Sequence, residues 1–334
     1  MRRTLIVAAA ALAVGMLAPA AYAEERPWRV TRAPQMVPDS GLSHVAALGP
    51  EEVWVGGYAG QTCYDWSIPF LGAGTTCNSN TTLKRWNGTF WETKNPPVTW
   101  NYELADLDAS ASGNVWVSGM KNGQARIFRW DGKKWNEIAL PAGDCPSTAS
   151  RAKLQLTAAG TDEAWASWGG RCVFHWKAGE WAVHAVPDDF VHDVHVTASN
   201  EVYLVGHKPL RRDGNGWVEA EGASEGHLLA VDDDALYYYS SPDRTVKRVS
   251  DGGTTALPPA PEIPTSVLAT RYLLDAEGAL WRVDENTVHR FDGTAWRSAS
   301  LPVDTINAVD PLPGALWAVG TAPGDKAAVS LTNG

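Results

Sequence analysis

Short apolar runs alternate with clusters of Gly, Pro, Asn and Asp along most of this chain, and the runs repeat. A small turn followed by an apolar dipeptide ending in an aromatic residue occurs seven times. The copies are Val53-Trp54, Val115-Trp116, Ala164-Trp165, Val202-Tyr203, Leu236-Tyr237, Leu280-Trp281 and Leu316-Trp317. A second pattern follows it: a strand, a tight Asn-Gly or Asp-Gly turn, then Trp. It is clearest in Arg85-Trp86-Asn87-Gly88-x-x-Trp91 and Arg129-Trp130-Asp131-Gly132-x-x-Trp135. Looser forms are Trp176-x4-Trp181, Arg212-Asp213-Gly214-x-x-Trp217 and Phe291-Asp292-Gly293-x-x-Trp296. Asn-Gly and Asp-Gly supply the positive φ angles of two-residue hairpins. Pro96, Pro141, Pro187 and Pro302 then end the next strand, because proline cannot donate to a ladder.

Each unit therefore predicts four strands. In the second unit these are about Leu104–Ala109, Val115–Gly119, Ala125–Trp130 and Trp135–Leu140. The seven copies of the first marker lie about 44 residues apart on average. Four-stranded units at that period predict an all-β, seven-bladed β-propeller, with a solenoid of the same units as the alternative. The two ends of the chain favour the ring. The last unit stops at Leu331-Thr332-Asn333-Gly334 with no fourth strand after it. Trp28 to Pro34 has the spacing of Trp135 to Pro141, Trp181 to Pro187 and Trp296 to Pro302. The N-terminal segment is thus expected to supply the missing outer strand, whereas a solenoid would need capping units.

Residues 1–23 read as an export signal: Arg2 and Arg3, an apolar stretch from Leu5 to about Leu17, and the small-x-small site Ala21-Tyr22-Ala23. The propeller then occupies 24–334, and the protein is expected to be secreted and extracellular. The apolar stretch is too short to span a bilayer and no later run approaches 18 apolar residues, so no membrane insertion is expected. The net charge of −10 becomes −12 without the signal. So acidic a chain, with only isolated basic pairs, argues against nucleic acid as a partner. Seventeen tryptophans with 31 glycines and 21 prolines fit many short strands and many turns.

Fourteen tryptophans sit at repeat positions and are assigned to packing between blades. Trp66, Trp100 and Trp168 do not. Trp66 lies in a long insertion, roughly Ala59 to Thr81, between strands two and three of the first unit. Trp100 lies beside Tyr102 in the connection to the second unit, and Trp168 ends strand two of the third. All three are placed toward one face, the expected form of a binding surface on loops of a rigid scaffold. With Tyr64, Phe70 and Tyr102 they form the candidate ligand site. Export permits disulfides. Cys63 is paired with Cys77 inside the insertion, which holds Tyr64, Trp66 and Phe70 in a fixed loop, and Cys145 is paired with Cys172.

No catalytic constellation stands out. Gly222-Ala223-Ser224-Glu225-Gly226 matches the nucleophile-elbow pattern but precedes a strand where that motif needs a helix. His192 and His195, three apart on a strand, point to opposite faces and cannot chelate one metal together. Asp232-Asp233-Asp234 reads as a solvated turn; calcium would need oxygens from several directions. No Cys-x-x-Cys or partnering His spacing points to a metal. The Asp-Gly-x-x-Trp turns resemble the Asp-box of sialidases, but most copies lack its leading Ser-x-Asp. No cofactor, no metal site and no enzymatic activity are expected.

The export signal, the blade number and the Arg-Trp-Asp-Gly-x-x-Trp turns together resemble exported seven-bladed propeller proteins, among them the lectin subunits of the umbrella toxin particles of filamentous actinobacteria. The resemblance covers Trp28 to Gly334 and matches no binding motif residue by residue. It implies a non-enzymatic, sugar-binding subunit that attaches through an adaptor protein to a larger antibacterial toxin complex and targets it to a cell-surface glycan. The expectation from the sequence is therefore an extracellular lectin-like module. A protein–protein scaffold and a propeller glycosidase or lyase are the alternatives.

Overall fold

The turns at Asn87-Gly88, Asp131-Gly132 and Asp292-Gly293 build outer hairpins as four-residue loops, while Asp213-Gly214 keeps the two-residue form, with Asp213 paired to Gly216. Trp86 pairs with Trp91, Trp130 with Trp135 and Phe291 with Trp296. In each loop the leading carboxylate or amide caps its own turn. Asp131 Oδ1 accepts the N–H groups of Lys133 and Lys134, both at 2.9 Å, and Asn87 Oδ1 accepts those of Thr89 and Phe90 at 3.1 and 3.0 Å. The glycine that follows takes φ near +90°, as at Gly132 (φ 89). These hydrogen bonds hold Asp131 down at a pKa of about 2.

The computed structural model describes residues 29–30, 33–98, 102–122, 124–141, 154–168, 170–187, 191–206, 208–214, 216–222, 226–240, 242–259, 271–301, 303–313, 315–322 and 326–332, so residues 1–23 fall outside it. The strands form an all-β propeller of four-stranded antiparallel sheets, seven among the described residues. The first sheet runs Gly41–Gly49, Glu52–Ile68, Gly72–Trp86, Trp91–Thr93 and the second Tyr102–Ala111, Asn114–Lys121, Gln124–Trp130, Trp135–Ile138. The third runs Gln155–Ala159, Glu163–Ser167, Cys172–Lys177, Glu180–Ala185 and the fourth Val191–Val196, Val202–Gly206, Leu210–Asp213, Gly216–Glu219. The fifth runs His227–Val231, Leu236–Ser240, Thr245–Ser250, Gly253–Ala256 and the sixth Arg271–Leu274, Leu280–Asp284, Thr287–Phe291, Trp296–Ser300. The last combines Thr305–Leu312, Ala315–Ala322 and Lys326–Thr332 with Arg29–Val30 as its outer strand. Arg29 faces Thr332 and Val30 faces Leu331 in that pairing.

The first strand of each sheet touches the first strand of the next, and the cycle returns from Thr305–Leu312 to Gly41–Gly49. Tryptophans explain why neighbouring sheets adhere. The strand-four Trp of one sheet packs on the strand-two Trp of the sheet before it: Trp135 on Trp54 at 5.7 Å, Trp181 on Trp116 at 5.9 Å and Trp217 on Trp165 at 6.3 Å. Trp91 of the first sheet packs on Trp317 of the last at 6.4 Å, which carries the contact across the closure. The motif arginine stands opposite the strand-two Trp of its own sheet and covers its face. Arg85 lies over Trp54, Arg129 over Trp116 and Arg290 over Trp281. The third sheet has His175 there, stacked on Trp165 at 4.0 Å.

Candidate functional site: a clamped hairpin and the channel mouth

The stretch expected as an insertion loop from Ala59 to Thr81 is instead a β-hairpin. Its strands continue those of the first sheet out to Ile68 and back from Gly72, leaving only Pro69–Leu71 as the turn. The register shifts between Ala59 and Thr62, where Gly60 N–H reaches Ser40 Oγ and Gln61 N–H reaches the Asp39 carbonyl. Beyond that base the hairpin stands in solvent for roughly 20 Å at ~3.3 Å per residue. An isolated hairpin is marginal in water. Here Cys63 and Cys77 face each other, Cα atoms 4.0 Å apart, and are joined by a disulfide. That bond fits an oxidising compartment. Cys172 is disulfide-bonded as well, and its expected partner Cys145 lies outside the described residues.

Alternation gives the hairpin two unlike faces. Tyr64, Trp66 and Ile68 share one with Thr76, Gly74 and Gly72. The other carries the disulfide and Asp65, whose Oδ1 accepts Thr75 Oγ1–H at 2.6 Å. Trp66 lies over Gly74, where a Cβ would stand 3.0 Å from its ring, and its indole N–H donates to Thr76 Oγ1 at 3.0 Å. Tyr64 is 55% and Trp66 40% exposed, and Phe70 at the tip is fully exposed. Trp168 is half-buried and packs on the apolar layer between the second and third sheets. Tyr102 opens the innermost strand of the second sheet, opposite Lys121. Trp100 lies outside the described residues. Tyr64, Trp66 and Phe70 are thus brought together, while Trp168 belongs to a separate layer.

At the foot of the hairpin a cleft of about 610 Å³ opens between the first and second sheets. Tyr58, Gln61, Asn78, Ser79 and Glu103 line it, with Ser43 and His44 at its floor. The Tyr58 ring lies against Gly41, where a Cβ would come within 2.8 Å. The sequence reading did not single out these residues.

Ser43 and His44 also line a second cavity of about 840 Å³, the central channel. Four carboxyl groups reach it: Asp106, Asp108, Asp193 and Asp310. Asp106 Oδ2 accepts the Leu156 N–H of the next sheet at 2.6 Å, and its Oδ1 that of Leu107 at 2.9 Å. Asp108 does the same with Ala158 and Ala109, both at 2.8 Å. Asp310 Oδ2 accepts the Ala47 N–H at 2.6 Å across the closure. Others make the same step from one sheet to the next: His44 to the Ala105 carbonyl, Thr157 to that of Val194, Asn307 to that of Leu42 and Arg271 to that of Asn307. Burial raises Asp106 to a pKa of about 8, and Asp108 and Asp310 to about 7; the neighbouring carboxylates push Asp106 and Asp108 the same way. The sequence reading found no such cluster. The signal was Asp106 and Asp108 at alternate positions of a strand that is otherwise largely apolar.

This geometry is more than strand alternation. Five innermost strands shift register at the same place: Leu42/His44, Leu104/Asp106, Val191/Asp193, Leu228/Ala230 and Ile306/Ala308. A bulge re-aims the side chains that follow it. It also removes the argument that His192 and His195 must face opposite ways, since His192 is the bulged residue. The tri-aspartate behaves as a turn: Asp232 Oδ1 caps the N–H groups of Asp234 and Ala235, and Asp233 accepts that of Ser199. Among the described residues no group of three His, Cys, Asp or Glu is arranged to hold a metal ion.

No family model matches the chain, and no curated protein matches it. Solved structures do, at the level of fold. The WD40 β-propeller domain of Doa1 superposes with a TM-score of 0.59 at 14% identity, covering 92% of this chain and 97% of that one. YCF48 bound to D1 peptide gives 0.52 at 14%, covering 92% and 97%. BamB from Moraxella catarrhalis gives 0.51 at 11%, covering 91% and 99%. At these identities the likeness establishes a β-propeller and nothing finer.

Proposed function

We propose that this chain is an exported, seven-bladed, non-enzymatic binding propeller that takes carbohydrate in the cleft at the foot of the clamped hairpin. The blade count rests on the seven sheets and their closed cycle of innermost strands. The observation that carries the ligand class is the pairing of one aromatic ring with planar polar groups. Tyr58 lies over a glycine in a cleft shared with Gln61, Asn78 and Glu103. A ring presents an apolar platform to the C–H face of a sugar, while amides and a carboxylate match paired hydroxyls. Trp66, seated on Gly74 further along the hairpin, offers a second platform.

A glycan array with the secreted chain tests this reading. Binding should be lost in Tyr58→Ala and in Gln61→Ala/Asn78→Ala, with thermal unfolding little changed. An array with no bound glycan, or variants that bind as well as the parent, refutes it. The resemblance to umbrella-particle lectin subunits would make this cleft a targeting site; co-purification of an adaptor from culture supernatant tests that role.

A hydrolytic channel is the second reading, favoured by carboxyls that stay protonated near neutrality. Against it, both oxygens of Asp106 and of Asp108 are engaged by backbone N–H groups that tie sheets together.

A further inference from the structure

We propose that the tip of the clamped hairpin, Ile68 to Leu71, docks into the interface of a neutral, zwitterionic lipid surface. The tip is apolar and unburied: Ile68 is 49% exposed, Leu71 80% and Phe70 fully. Phe70 holds φ at 66°, in the left-handed region where Gly or Asn would sit more easily, so the turn itself does not call for this ring. Hydrocarbon tolerates backbone only where its polar groups are paired. Here Ile68 faces Gly72 in the ladder, Leu71 N–H donates to the Ile68 carbonyl at 3.1 Å, and Pro69 has no N–H.

The hairpin is zoned as an interfacial element should be. Aliphatic and phenyl groups occupy the end, Trp66 and Tyr64 stand behind them, and the foot is polar. Tyr and Trp prefer the headgroup level, where one edge is apolar and the other wet. No charged residue occurs from Trp66 to Leu83. Asp65, the nearest charge, is on the opposite face and tied to Thr75. The absence of any lysine or arginine there, on a chain of net charge −10, selects neutral over anionic lipid. The contact is shallow, since four residues cannot cross a bilayer and no helix among the described residues is long and apolar enough to do so. It adds a surface contact to the expectation from the sequence, which was of no membrane insertion.

The test is flotation of the full secreted chain with phosphatidylcholine vesicles. The chain should float with them, and Phe70→Ser/Leu71→Ser should lower its partitioning at least tenfold with an unchanged unfolding temperature. Phe70→Leu should restore most of it, which separates lost apolarity from a damaged turn. Adding phosphatidylglycerol should leave binding equal or weaker. A chain that stays in solution, a double variant that floats like the parent, or binding only to anionic vesicles overturns the proposal. So does a soluble protein captured through the tip by a chain that ignores vesicles. Sugar binding at the foot is read separately with soluble glycans, so either proposal can fail alone.

Discussion

Raising the pH from 6.5 to 8 should destabilise this propeller through its channel. Asp106, Asp108 and Asp310 have folded pKa values of about 8, 7 and 7, against 3.8 for an ordinary aspartate. Their folded values are raised, so their stabilising contribution is complete below about pH 4 and is lost as pH climbs through 7 to 8. The charged and titratable groups that share the channel are Asp193, His44 and Arg271. The window matters, because burial lowers His175 and His184 below the usual histidine value, and they would counteract the trend at lower pH. Unfolded, those histidines are about half protonated at pH 6.5 and about nine-tenths neutral by pH 7.5, so their opposing contribution fades inside the window. One proton is worth about 1.4 kcal/mol per pH unit. These carboxyls are only half-buried and share one site, so we count about one proton across the cluster, or roughly 2 kcal/mol between pH 6.5 and 8. Urea midpoints at four pH values in that window measure it. Asp106→Asn/Asp108→Asn/Asp310→Asn should be less stable at every pH, because the amides at 106 and 108 each turn a donor toward a backbone N–H, but its stability should no longer slope with pH. A wild-type curve that is flat or rises, or a triple variant that keeps the slope, refutes the reasoning.

Asn114→Ala should cost 2 kcal/mol or more, seen as a lower urea midpoint. The buried amide reaches the Ala159 and Glu163 carbonyls of the next sheet and accepts from Trp116 Nε1 and Arg129 Nε, leaving several polar groups orphaned when it is removed. Trp54→Ala should cost about 3–5 kcal/mol in the same assay, since a fully buried ring that packs on both Trp130 and Trp135 leaves a cavity between two sheets. Cys63→Ser/Cys77→Ser should act locally. The disulfide, worth about 3 kcal/mol for a loop of this size, clamps a hairpin that buries little, so proteolysis at 62–76 should accelerate while the global unfolding temperature stays nearly constant.

The division between what could be read from residues and what could not follows the range of the interactions. The turn chemistry at Asn87-Gly88, Asp131-Gly132 and Asp292-Gly293 is local, and so are the strands that flank it; repetition carried the rest of the fold, down to the outer strand that Arg29–Val30 adds beside Leu331 and Thr332. The Cys63–Cys77 pair was legible because both ends lie in one insertion. The extension of that insertion into a hairpin was not. Gly60, Gly72 and Gly74 carry no strand signal of their own, yet Gly74 sits in the ladder opposite Trp66, whose ring lies over it.

The channel was hidden for a different reason. Strand alternation predicts which side chains share a face only while the register holds, and a bulge in five innermost strands breaks it at the same place. Beyond the bulge, Asp106 and Asp108 turn toward the next sheet and capture its N–H groups at Leu156 and Ala158. Their partners lie 50 residues away in sequence, one repeat further on. Asp310 makes the same reach across the closure to Ala47, 263 residues away. An acidic residue in an otherwise largely apolar first strand is therefore a sign, in a repeat of this kind, of a carboxyl spent on joining one sheet to the next. The element that departs from the repeat is the hairpin of the first sheet, whereas the channel is lined from the innermost strands of six of the seven sheets described.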